Sequence, residues 1–236
     1  MKILNKEYWK KVPANATTSV DIMPSDEDLN HIPIAGRVLD VGCGDGQLSE
    51  WFSKKGFSVS AIDINQNSIE ACKKRDTKVD YSIQDITMKT TFKNNFFDLI
   101  CFRFTLTNIH REEWPALRKE IDRLVSPKGF IWLVEPLVSD DYQERYELSS
   151  KLLNDERVIF VFKDPKIARA VVTIDQLRTA INQGAISRIS RHYTKEELIG
   201  LFPALKIVQE KMIEIISPSG FKLNTFIGLL QKIDHR

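Results

Sequence analysis

Residues 38–49 read VLDVGCGDGQLS, an apolar run that meets glycines at 42, 44 and 46 before helical spacing begins. A buried strand turning sharply into a helix needs this composition. Branched apolar side chains favour the strand, and glycines permit the positive φ of a tight turn. Such turns commonly hold a nucleotide, so the question is which one. A dinucleotide fingerprint spaces its glycines G-x-G-x-x-G; counted from Gly42, its third glycine falls on Gln47. A P-loop requires Gly-Lys followed by Ser or Thr at the helix start, and this turn has none. Charge discriminates further. Asp40 closes the strand and Asp45 lies in the loop. Carboxylates facing a pyrophosphate would repel it, whereas they suit an ammonium or sulfonium group. The loop reads as a site for a nucleoside without phosphates.

Outward from this turn, strand and helix patterns alternate. Strands are expected at 37–42, 58–64, 79–86, 96–104 and 129–136. Helices are expected at 47–56, ended by Gly56, at 66–75, capped by Asn65 or Asn67, and at 111–125. The last carries Trp114, Leu117, Ile121 and Leu124 on one face. Strands separated by helices of about 10–15 residues imply right-handed crossovers and a parallel sheet. From 137 to 193 the pattern becomes mainly helical and charged, with one apolar run, VIFVF, at 158–162. A short helix at 194–202 follows, then two strand-like segments, 205–216 and 222–233, joined by SPSG. That joint is a hairpin signal, which makes the last strand antiparallel to its neighbour.

Composition narrows the class. The chain has 236 residues, 42% hydrophobic and 28% charged, enough for one large domain. Its 34 basic and 32 acidic residues give a net charge of +2, so no nucleic-acid partner is called for. The start, MKILNKEYWKKV, lacks the apolar region of a secretory signal, and no apolar run approaches the about 18 residues that span a bilayer. The three cysteines, Cys43, Cys72 and Cys101, lack metal-ligand spacing and read as free thiols of a reducing compartment. The expected location is the cytoplasm, without a membrane partner, as a monomer or homodimer.

The sequence VLDVGCGDGQLS resembles the first motif of class I S-adenosylmethionine-dependent methyltransferases, with its D-x-G-x-G-x-G core. Other motifs follow in the family's order. AIDI places Asp63, with Ile64, at the end of the second strand, 19 residues after Gly44, where the family's acidic residue binds the ribose. IQDI places Asp85 and Ile86 where the family contacts adenine. FFDLICFRFTLTNI resembles the fourth motif, and RLVSPKGFIWLVEP the usual R-x-L-x-P-G-G segment, with Lys128 in place of its first glycine. The resemblance covers about residues 36–136, and the final hairpin by topology. It implies an α/β fold with a Rossmann-like seven-stranded methyltransferase sheet, mostly parallel with an antiparallel last strand and helices on both faces. One domain would span 1–236, with an N-terminal helical segment at 1–35 and a helical cap insertion at 137–193 over the acceptor site. The cofactor implied is S-adenosyl-L-methionine, leaving as S-adenosyl-L-homocysteine, with no metal. Its expected contacts are Asp40, Gly42, Cys43 through its backbone amide, Gly44, Gln47, Asp63, Ile64, Asp85, Ile86, Phe102 and Arg103.

Methyl transfer from a sulfonium is an in-line displacement, which asks for alignment and exclusion of water more than for a particular side chain. The catalytic residue is therefore not legible; His192, Tyr193 and Glu135 are the weak candidates, a surface position being the plainer reading of His192. Tyr8 and Trp9 resemble the aromatic pair that many members place on an N-terminal helix, on the substrate side. The run Phe102-Arg103-Phe104-Thr105 lacks the D/N-P-P-Y/F of amine and amide methylases. The clustered carboxylates of the magnesium-dependent catechol type are also missing, since only Asp98 and Glu135 lie near. Asn108 stands where many small-molecule members carry histidine. Residues 137–193 hold nine Lys/Arg and eight Asp/Glu, so the insertion is no basic clamp. The expected function is methylation at O, N or C of a small-molecule acceptor. A protein or tRNA methyltransferase, or a non-catalytic nucleoside-binding protein, are the alternatives.

Overall fold

The computed structural model describes residues 5–13, 21–153, 157–217 and 219–233. Two short helices, α1 (Asn5–Trp9) and α2 (Asp26–Leu29), precede the sheet. Five strands follow, with helices between all but β3 and β4: β1 (Arg37–Val41), α3 (Gln47–Lys54), β2 (Ser58–Asp63), α4 (Gln66–Arg75), β3 (Asp80–Ile83), β4 (Phe97–Arg103), α5 (Trp114–Leu124) and β5 (Val125–Pro136). The segment after β5 holds α6 (Gln143–Leu153), β6 (Val158–Phe162), α7 (Pro165–Ala170), α8 (Ile174–Asn182) and β7 (Ile186–Arg191). The chain returns through α9 (Lys195–Gly200) to β8 (Leu205–Ile216) and β9 (Lys222–Lys232).

The main sheet has seven strands in the order β3-β2-β1-β4-β5-β9-β8. The four pairings among β1–β5 are parallel, and β9 lies antiparallel between β5 and β8. One antiparallel strand follows from the hairpin: β9 must reverse after β8, and it enters beside β5 instead of at the edge. Alternation along β4 sends Ile100 and Phe102 to one face, against Leu117, Ile121 and Leu124 of α5. Leu99 and Cys101 face the other side, in the cluster that holds Leu48 and Phe52 of α3 with Ile69 and Cys72 of α4. Both faces are covered, which explains the apolar runs at 99–102 in β4 and 130–134 in β5.

Several boundaries differ from the sequence reading, each for a local reason. Helix α5 starts at Trp114 after a 3-10 turn at Arg111–Glu113, because Pro115 lacks an N–H and suits a first turn. Strand β5 begins at Val125, with Lys128 at φ 63° in the position where glycine is usual. Asn65 caps α4, its side chain accepting from the amides of Asn67 and Ser68. The segment between β5 and α9 is not purely helical: β6 and β7 form an antiparallel ladder. A two-stranded ladder is marginal alone. Here α6, α7 and α8 pack on it through Leu148, Phe160, Phe162, Ala168, Leu177 and Ala180. The strand ISRISR escaped the sequence reading because serine and arginine interrupt its apolar alternation.

Candidate active site

The turn after β1 is fixed by contacts within the protein. Gly42, at φ 70°, faces Thr105 so closely that a Cβ would stand 2.7 Å from its side chain. Gly44, at φ 54°, donates its amide to Asp63 Oδ2 at 2.9 Å. The amides of Gly42 and Cys43 both donate to the Ile62 carbonyl, at 2.8 and 3.1 Å, and Gly46 donates to the Cys43 carbonyl. The Gln47 amide is taken by Asp45 Oδ1 at 3.2 Å. These five amides are spent inside the turn, so the cradle of free N–H groups that a phosphate needs is missing there. The Cys43 amide, expected at the ligand, is directed to the Ile62 carbonyl here. Cys43 does line the cavity described below.

Around the turn stand four carboxylates. Asp40 is buried, accepts from the Ser49 hydroxyl at 2.6 Å, and is pushed by burial up to about 6. Asp63 accepts from Gly44 and, through Oδ1, from the Asn65 amide at 2.8 Å; burial raises its pKa against those bonds. Asp85 receives the Lys6 ammonium on Oδ2 at 2.7 Å, and the Thr87 amide and hydroxyl on Oδ1. Burial alone would raise Asp85, but hydrogen bonds from Lys6 and Thr87 outweigh it and lower the carboxyl. Lys6 also bonds to Thr87 Oγ1 at 2.7 Å and pairs with Glu113. Asp45 completes the set at the loop tip.

These residues form one wall of a cavity of about 650 Å³. That volume suits a nucleoside-sized ligand together with a second small molecule. Gly42, Cys43, Gly44, Asp63, Ile64, Asp85 and Ile86 line the part nearest the strand ends. The opposite wall comes from the segment after β5 and from the β8–β9 hairpin, with Tyr142, Ile159, Phe160, Phe162, Arg188 and Leu223. Tyr8 and Trp9 line it from α1. That helix is held by Asn5, whose side-chain oxygen accepts from the Ile189 amide at 3.1 Å and whose nitrogen donates to the Ile189 carbonyl at 2.9 Å.

Not every residue expected at the site reaches it. Phe102 is buried in the core, 6.1 Å from Phe202 between ring centroids; its neighbours Arg103, Phe104 and Thr105 line the cavity instead. Strand alternation explains the exchange of Phe102 for Arg103, while Phe104 and Thr105 lie past the end of β4. Gln47 lies outside the lining and accepts from Arg103 Nη1 at 2.9 Å through Oε1. Tyr193 is fully buried and donates to the Leu106 carbonyl at 2.6 Å, away from the cavity. Glu135 is fully buried as well, accepting from the amides of Thr105, Leu106 and Thr107 at 2.8, 2.8 and 3.1 Å. Its carboxyl organises the turn after β4 and does not line the cavity.

His192 is buried and not on the surface, and it does line the cavity. The Tyr146 hydroxyl meets its Nδ1 at 2.7 Å and also accepts from the Ser139 amide, so the hydroxyl proton points to the imidazole. Nδ1 is then the acceptor nitrogen and Nε2 carries the proton. Burial pulls the His192 pKa down to about 3. A neutral ring whose basic nitrogen is already engaged is a poor general base. Lys6, Asn5 and Arg188 were missed by sequence reading, because a lone polar residue in a short helix or exposed-looking strand carries no periodic signal. Among the described residues no cluster of His, Cys, Asp and Glu could hold a metal ion, and no helix is long and apolar enough to cross a membrane.

Comparison with known proteins agrees with this geometry. A family model described as a methyltransferase domain matches residues 39–133. The chain is 28% identical over 109 residues to a probable S-adenosyl-L-methionine-dependent methyltransferase, TehB, of Haemophilus influenzae, covering 44% of this chain and 37% of that protein. It is 31% identical over 107 residues to the ubiquinone biosynthesis O-methyltransferase of Xanthomonas oryzae, covering 43% of this chain and 44% of that one. The match thus spans less than half the length of these curated relatives. In fold, the chain is similar to a SAM-dependent methyltransferase of Methanosarcina mazei, with a TM-score of 0.76 at 22% identity over 90% of this chain and 99% of that one. It is also similar to the 1,6-didemethyltoxoflavin-N1-methyltransferase of Burkholderia thailandensis, solved with its substrate and S-adenosylhomocysteine, at a TM-score of 0.60 and 15% identity over 89% of this chain and 76% of that one.

Proposed function

We propose that the protein transfers the methyl group of S-adenosylmethionine to a small-molecule acceptor, a reading supported by the methyltransferase-domain model that matches residues 39–133. The observation that carries this reading is the single 650 Å³ cavity, which runs from the glycine turn and its carboxylates to an apolar wall formed by the segment after β5. The donor side fits an adenosyl sulfonium chemically. Asp63 is an acceptor for ribose hydroxyls, Asp85 for an exocyclic amine, and buried Asp40 for a cationic end. The loop amides are occupied, which disfavours a phosphate-bearing nucleotide.

When bound, the sulfonium supplies an electrophilic methyl group with a neutral thioether as leaving group. The chain's own part is positioning and exclusion of water. Asp63 would hold the ribose, beside a turn that Thr105 and Asp63 keep in place. The wall from Tyr142 to Arg188 keeps the acceptor in line. That wall offers no Asp or Glu among its described lining residues, and the His192 Nδ1 is engaged. The acceptor therefore brings a lone pair that is already nucleophilic at working pH. Lys6 occupies Asp85 in the structure, so an adenine amine shares or displaces that contact.

The small size of the acceptor is supported by the apolar residues of that wall, by the balanced charge of residues 137–193, and by the 1,6-didemethyltoxoflavin bound in the Burkholderia structure. The test is label transfer. Protein incubated with methyl-labelled S-adenosylmethionine and an extract of its own cells should place label in material below about 1 kDa. Label found only in protein or RNA would overturn the small-molecule reading.

A further inference from the structure

The cavity is divided by charge. Its donor wall carries Asp40, Asp45, Asp63 and Asp85 beside the cations Lys6 and Arg103, whereas the lining contributed by residues after 136 includes Lys163 and Arg188 and, among the described residues, no carboxylate. Arg188 is the informative one. It projects from β7 into the cavity, and burial pulls its pKa down to about 10, so it stays charged at neutral pH. Its polar partner is the Asn108 side-chain oxygen at 3.3 Å. Asn108 is oriented for this by its own nitrogen, which donates to the Phe104 carbonyl at 2.9 Å. The guanidinium also lies over the Trp9 ring, 5.2 Å from the centroid. No Asp or Glu among the described residues is within ion-pair distance of it. A shielded guanidinium with a neutral oxygen and an aromatic face has donors left over for a bidentate anion.

We propose that Arg188 anchors an anionic group on the acceptor, so that the substrate class is a small, largely apolar molecule bearing a carboxylate. This rests on the methyltransferase reading and names its substrate class. The apolar body lies against Ile159, Phe160, Phe162 and Leu223, and the carboxylate forms the bidentate pair. The donor's own carboxylate is the competing owner of such a cation. Arg103 serves that end instead: it lines the donor wall, is held by Gln47, and exerts its charge on Asp40. The four donor-side carboxylates repel the acceptor's anion and so orient it with its charge toward β7.

The test uses a probe panel of benzoate, cinnamate, phenylacetate and octanoate, each beside its primary amide. Binding is measured by calorimetry on the full chain, with and without S-adenosylhomocysteine. At least one acid is expected to bind at least tenfold tighter than its amide. Arg188→Met should erase that preference, Arg188→Lys should keep part of it, and neither should change S-adenosylhomocysteine affinity by more than about twofold. Amides binding as well as their acids, no acid binding below 10 mM, or a preference surviving in Arg188→Met overturns the proposal. So does a tenfold loss of S-adenosylhomocysteine affinity in Arg188→Met, which would assign the guanidinium to the donor. Failure of S-adenosylhomocysteine to bind the wild type is a separate result: it removes the methyltransferase reading, while acid-over-amide selectivity is still read without it.

Discussion

At the scale of single residues, the site is governed by what burial does to charge. Asp40 is held at about 6, with burial as the main cause and the Ser49 hydroxyl opposing it. Its folded value lies above the ordinary carboxylate value, so the unliganded fold gains stability as pH falls through 6 and loses it as pH rises. A cationic ligand end favours the charged form, so binding changes in the opposite sense. Affinity for S-adenosylhomocysteine should be full above pH 7 and fall toward tenfold per unit below about 6. Titrations at pH 7.5, 6 and 5 check this, and Asp40→Asn should flatten the profile; affinity independent of pH in the wild type would show that Asp40 does not face the ligand's charge. Gly44 carries a related lesson. At φ 54° any branched side chain strains the turn and unpins the amide given to Asp63, so Gly44→Val damages backbone and site together.

At the scale of elements, the turn after β4 is built from the end of β5. Three consecutive amides, of Thr105, Leu106 and Thr107, converge on Glu135, while the Thr105 hydroxyl donates to the Val41 carbonyl at 2.8 Å. One carboxyl thus ties β5, β4 and the glycine turn into a single frame. Burial pushes Glu135 up to about 8, although three amide donors favour the charged form. The geometry weighs more: an acid proton on either oxygen would have to face an N–H. In Glu135→Gln the side-chain NH2 meets the Thr107 amide, leaving a buried donor unpaired. The expected cost is about 1–3 kcal/mol in urea unfolding with an unchanged slope. An unchanged midpoint would mean that the turn holds the protonated acid. Nothing in the sequence pattern marks this tie, because Glu135 stands alone among apolar neighbours and its partners are backbone atoms.

At the scale of the whole molecule, what could be read from sequence and what could not separate along a physical line. The alternation of β1 to β5 with helices, the antiparallel final strand and the glycine turn were legible, since periodicity and turn chemistry are local. The place of Asp63 and Asp85 in the cavity wall was legible from their positions, whereas Lys6 on Asp85 and Asn5 on β7 join residues far apart in the chain, which no spacing reveals. The β6–β7 ladder and the inward turn of Arg188 depend on packing of the segment after β5. The exclusion of Phe102 and Glu135 from the cavity depends on which face each strand position presents, and that of Tyr193 on its bond to the Leu106 carbonyl. The account stands on one claim, that the turn after β1 and the carboxylate of Asp63 hold an adenosyl thioether and not a dinucleotide. Calorimetric titration with S-adenosylhomocysteine and with NAD tests it most directly. The expected result is one S-adenosylhomocysteine per chain and no heat from NAD. Losing two hydrogen bonds to a charged acceptor, at about 1.5 kcal/mol or more each, should weaken S-adenosylhomocysteine about 100-fold or more in an Asp63→Ala variant that still melts cooperatively. Tight binding of NAD without S-adenosylhomocysteine, or wild-type affinity in folded Asp63→Ala, would contradict it.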